Sequence, residues 1–118
     1  MLFRSMRVYE KARELVEALK QEEIYSEFVK WQGQVFAAPR LKETLLELRR
    51  HEFELHRQQL KGKEVSEEEK DNLRRFYETA RQDDVINRYL DAEYRFSRMM
   101  LDIQKIINDA VPVKRPEN

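Results

Sequence analysis

A chain of 118 residues fits one domain with one modest core. Charged residues make up 39% of it, 23 basic against 23 acidic, so no net charge draws it to nucleic acid or to a basic partner, and only local patches can. With no cysteine it forms no disulfide, no thiolate nucleophile and no cysteine-held zinc or iron–sulfur centre of its own. The first ten residues intersperse Arg4, Arg7 and Glu10 among apolar ones, unlike a secretion signal, and no apolar run is long enough to span a bilayer. The cytoplasm is the expected compartment, and residues 1–118 are expected to form one domain.

The first element is a helix capped by Ser5, with Val8, Ala12, Leu15, Val16 and Leu19 on one face and charges on the other. The apolar pattern changes phase around Gln21 to Glu23. A second helix follows, with Ile24, Phe28, Trp31 and Val35 on one stripe and Tyr25, Val29 and Phe36 beside it. Pro39 disfavours helical geometry at Ala38 and suits the first turn of a new helix, which places the start of a third there. That helix runs to about Leu60, where Gly62 stops it and Lys61 and Lys63 stand near the negative end of its dipole.

The third helix carries two separate apolar rows. Leu41, Leu45, Leu48 and Leu55 form one; Leu46, Phe53 and Leu60, spaced by seven, form the other at roughly 100 to 150° around the axis. A helix with two such rows touches two things. One row is expected in the chain's own core, and the other at an oligomer interface. Ser66-Glu67-Glu68-Glu69 then reads as a capping box, in which Ser66 and Glu69 satisfy each other's backbone N–H groups. The fourth helix turns Leu73, Phe76, Tyr77 and Ala80 inward, and Asp83 or Asp84 caps a fifth.

The fifth helix, to Ala110, is the element the others are expected to organise around. Ile86, Tyr89, Glu93, Phe96, Met100, Ile103, Ile107 and Ala110 alternate spacings of three and four, with Val85, Ala92, Met99 and Ile106 alongside. The arc is wider than a two-stranded coiled-coil seam, so the helix is expected to be largely buried. At about 1.5 Å per residue it is roughly 40 Å long, and other helices or a second subunit must cover it. Residues 111–118, with Pro112 and Pro116, are expected to form a flexible tail.

The run Glu23-Ile24-Tyr25-Ser26-Glu27-Phe28 after a short first helix, the loop Lys61 to Glu69, and Asp84-Val85-Ile86-Asn87-Arg88-Tyr89-Leu90-Asp91-Ala92-Glu93 followed by Phe96, Met99, Met100, Ile103 and Ile107 resemble the YlbF/YmcA family of small bacterial helical proteins. The resemblance covers roughly residues 5 to 110. It implies a self-associating all-α fold without catalytic residues, and a regulatory role exercised in complexes with family members or other proteins. It further implies links to competence, sporulation, biofilm formation or ribonuclease Y-dependent mRNA processing. Some complexes of that family hold iron–sulfur clusters through cysteines, which this chain lacks.

No residue set promises catalysis or a cofactor. Glu93 lies on the apolar stripe, where a carboxylate persists when paired. His51 and His56, five apart, fall on different helix faces, and Glu52 with His56 supplies only two ligands, too few for a metal site. Arg49, Arg50, Arg57, Lys61 and Lys63, with Arg74 and Arg75 apart from them, offer a patch for RNA, interrupted by Glu43, Glu47, Glu52 and Glu54. Trp31 and Met99 are candidate interface residues that equally suit core packing. The reading is an all-α, non-enzymatic regulatory adaptor that associates with itself and with proteins such as related family members or an mRNA-processing complex. Its interface residues are Leu46, Phe53, Leu60, Trp31 and Met99. An RNA-binding accessory factor using the basic patch is the alternative.

Overall fold

The computed structural model describes residues 6–114, and these form five helices and no strand. They are α1 (Arg7–Lys20), α2 (Glu23–Ala37), α3 (Pro39–Leu60), α4 (Glu67–Ala80) and α5 (Asp84–Ala110). Each break has a local cause. Met6 holds the cap position of α1 with extended backbone and no side-chain bond, while the expected cap Ser5 lies outside the described residues. Between α1 and α2 the chain turns at Gln21 and Glu22, whose N–H groups reach back to Ala18 and Leu19 carbonyls at 3.2 and 3.1 Å. The Glu22 carbonyl then accepts from Tyr25 and Ser26 and starts α2.

Ala38 is extended (φ −111°, ψ 107°) before Pro39 at the first turn of α3, as proline sterics require. Gly62, at φ +77°, takes the left-handed conformation that ends the helix after the cap residue Lys61. Ser66 Oγ accepts from the Glu69 N–H at 3.1 Å and caps α4. Among the described residues only that half of the expected box is seen, and Glu69 Oε2 is buried without a hydrogen-bond partner. Asp83 Oδ1 accepts from the Ile86 N–H at 3.1 Å and caps α5, while its Oδ2 takes the Arg40 guanidinium at 3.1 Å.

The contacts gather into two compact units: Val29–Asp91, and the chain's two ends up to Phe28 and from Ala92. The first holds most of the core. Val35, Leu48 and Ile86 are fully buried there, joined by Leu41, Leu45, Ala80, Tyr89 and Leu90. Each fully buried aliphatic side chain contributes about 1.5–3 kcal/mol relative to exposure. Helices α3 and α4 pack on each other. Across them the Tyr77 hydroxyl donates to Glu52 Oε1 at 2.8 Å, and the His51 ring lies 5.0 Å from that of Phe76.

In the second unit Phe28 stacks on Phe96 with centroids 4.8 Å apart, and Tyr25 leans on the same ring at 5.8 Å. The cover of α5 thins there. Its buried residues are Ile86, Tyr89, Leu90 and Ala92, and beyond Phe96 none is buried. The expectation of a largely buried fifth helix therefore holds for its first third only: the apolar stripe continues, but Met99 and Ile103 are half-buried and Met100 and Ile107 are exposed. No residue of α1 is buried either. Residues 111–114 are exposed and outside the helix, and the rest of the expected tail lies outside the described residues.

Candidate protein-interaction surfaces

The two rows of α3 separate as their spacing requires. Leu41, Leu45 and Leu48 are buried and Leu55 is half-buried, whereas Leu46, Phe53 and Leu60 are 43, 67 and 75% exposed. Leu46 and Phe53, with Arg49, Arg50 and Glu54, line an open hollow of about 580 Å³. Its lining carries no acid–base pair poised for chemistry. What it offers is apolar surface, bordered by charges already in use.

Those charges are neutralised one or two turns away. Arg49 pairs with Glu52 at 2.9 Å, Arg50 with Glu43 at 3.1 Å and with Glu47, and Arg57 forks onto Glu54 at 3.1 and 2.8 Å. Hydrogen bonds from Arg57, and then from Gln58, hold the Glu54 carboxyl below its ordinary range. The bonds to Glu43 and Glu47 raise Arg50, and the bond to Glu54 raises Arg57. Arg74 is likewise bound to Asp71 at 2.5 Å. Exposed pairs of this kind add little stability, yet they occupy the cations a phosphate backbone would need. Lys61, Lys63 and Arg75 remain exposed on a face of mixed charge.

The other expected interface residues take different places. Trp31, in the same unit as α3, is half-buried, with Lys30 Nζ 4.8 Å and the Arg88 guanidinium 5.2 Å from its ring centroid. It is thus a cation–π platform within the chain. Met99 belongs to the other unit, half-buried on the open part of α5 beside exposed Met100. Glu93 is half-buried and engaged with a partner. Leu90, in the core, stands four residues after Ile86 and three before Glu93 on the same face, but the stripe read from the sequence runs through Tyr89 and leaves Leu90 out. Among the described residues no group of three or more His, Asp or Glu is arranged to hold a metal, and no helix is long and apolar enough to cross a membrane.

A family model described as "Control of competence regulator ComK, YlbF/YmcA" matches residues 8–112, nearly the whole of this arrangement. The chain belongs to the YlbF/YmcA family. Relatives within reach of it bear the name UPF0342. One from Symbiobacterium thermophilum is 33% identical over 109 residues, covering 92% of this chain and 97% of the relative. One from Shouchella clausii is 32% identical over 107 residues, covering 91 and 89%. The fold is shared with a solved structure titled "Protein of Unknown Function (DUF964) from Bacillus stearothermophilus", with a TM-score of 0.77 over 89% of this chain and 92% of that one, at 18% identity. The family is thus a regulatory one, with members still uncharacterised, built on helices alone.

Proposed function

We propose that this YlbF/YmcA-family protein is a non-enzymatic regulatory adaptor that works through protein–protein complexes, and that the Leu46–Phe53–Leu60 row of α3 is an interface on which copies of the chain meet. The observation that carries it is the exposure of three large apolar side chains, in line, on a helix whose opposite row is the core. Removing such a row from water is favourable at roughly 25 cal/mol per Å². Its flanking charges are balanced by their own helix, so two copies juxtapose without like-charge repulsion. The family's description as a control of a competence regulator supports regulation as the role. Links to sporulation, biofilm formation and mRNA processing belong to this same proposal.

Leu46→Glu with Phe53→Glu is the test. Sedimentation mass falls while helicity by circular dichroism is kept, and pull-downs from source lysate lose the proteins that survive ribonuclease treatment with the unaltered chain. An unchanged mass with unchanged helicity sinks the interface. Captured material that vanishes entirely with ribonuclease sinks the adaptor reading in favour of RNA.

A further inference from the structure

Between α3 and α4, within the Val29–Asp91 unit, lies a partly open hollow of about 200 Å³. Leu55 and Leu73 form its apolar part, and Glu54 and Gln58 of α3 face it together with Glu69 and Asn72 of α4. Among the described residues no lysine or arginine lines it. Most of its polar groups are engaged. Glu54 holds the Arg57 fork at 3.1 and 2.8 Å and accepts from Gln58, and the His51 ring at the edge lies against Phe76. Glu69 differs: its Oε2 is buried without a hydrogen-bond partner, and among the described residues it does not take the Ser66 N–H that a capping box offers. A buried carboxylate oxygen without a donor is costly, since the fold returns nothing for the water it has lost. Such an acceptor in a native fold calls for a donor that the chain itself does not supply.

We propose that the hollow binds a primary alkylammonium group, its NH₃⁺ donating to Glu69 and its alkyl chain lying on Leu55 and Leu73. The positive charge answers two carboxylates, of which only Glu54 is paired with a cation of the chain. An ammonium brings three donors and no acceptor, and the hollow offers acceptors in Glu69 and in the amide oxygens of Asn72 and Gln58. Size agrees as well. At the ~30 Å³ that a water-sized group occupies, the hollow holds about six non-hydrogen atoms, the length of an amine of four or five carbons.

Other occupants fit less well. Water gives Oε2 a hydrogen bond but leaves an uncompensated anion beside a second carboxylate, and an anionic ligand is repelled by both. A divalent metal lacks its ligands, because among the described residues no three His, Asp or Glu are arranged to hold one. The lining includes none of Leu46, Phe53 and Leu60, so the site stands independently of the exposed row on α3.

The test is a titration of the ¹⁵N-labelled full chain with pentylammonium, followed through its amide NMR shifts. Saturable shifts gather at residues 54–58 and 69–73, while pentanol, equal in length and uncharged, gives none. That comparison uses the unaltered chain and so does not depend on a variant that folds. Glu69→Gln, which keeps the shape and removes the charge, weakens binding about tenfold or more, as for a lost charge-assisted hydrogen bond. Glu68→Gln, one residue away and exposed, leaves the affinity unchanged. A lysine side chain of another protein carries the same head on four carbons, and Nα-acetyl-lysine methylamide stands in for it. Tighter binding of that probe assigns the site to such a side chain, tighter binding of pentylammonium assigns it to a free amine, and either result supports the proposal. Pentanol binding as tightly as pentylammonium, shifts that do not saturate or that magnesium reproduces, or a folded Glu69→Gln chain of unchanged affinity overturns it.

Discussion

Asp83 joins three parts of its unit through one carboxylate. It caps α5 through the Ile86 N–H, ties Arg40 at the start of α3, and follows the end of α4. The backbone bond from Ile86 does most to hold its carboxyl below the ordinary value of 3.8, with Arg40 assisting and burial opposing. A depressed carboxyl stabilises the fold above the unfolded-state value and loses that contribution as pH falls through the folded one. The acid limb of a urea-unfolding series is therefore expected to steepen below about pH 4. Asp83→Ala costs about 1 kcal/mol at pH 7, as for a lost helix cap, and flattens that limb. Asp83→Asn keeps most of the neutral-pH stability and also flattens it, since asparagine caps without titrating. Equal acid sensitivity in all three would assign the limb to other carboxylates. Both caps were legible because short polar side chains before an apolar run have few other uses. The missing half of the Ser66–Glu69 box was not: a motif fixes which residues are within reach, and packing decides which way Glu69 turns.

Helix boundaries follow from local stereochemistry, and the two glycines show how different such positions are. Gly62 is left-handed, so a side chain there is strained although a Cβ would meet nothing within 4 Å. Gly33 sits inside α2 with ordinary helical backbone and equal space around its Cβ position. Gly62→Ala is expected to destabilise by about 1–2 kcal/mol, the cost of the left-handed region for an L-residue. Gly33→Ala is expected to stabilise by nearly 1 kcal/mol, the difference in helix propensity. Opposite shifts of the urea midpoint check both, and shifts of one sign would mean that the surroundings, not the backbone, decide. The breaks at Ala38–Pro39 and at Gly62 were read from such chemistry. The break at Gln21–Glu22 carries no glycine or proline and was legible only as a change of phase between two apolar stripes.

What covers an apolar face is a property of the whole molecule, and there periodicity falls short. The same three-and-four spacing runs along α5 from Ile86 to Ile107, but its start is core and its end is open, because spacing states that a face needs cover and not which chain provides it. For α3 the angle between rows was itself the evidence, which is why Leu48 and Phe53 fell on the expected sides. If the open Leu46–Phe53–Leu60 row of α3 is closed by a second copy, folding and pairing share one free energy. Mass action then makes stability depend on concentration. For a pair of chains of this size, each tenfold increase in concentration raises Tm by about 3–5 °C. Leu46→Glu with Phe53→Glu removes that dependence and lowers Tm. A Tm independent of concentration in the unaltered chain would show that the α3 row is stable uncovered, and that it is kept for a different occupant.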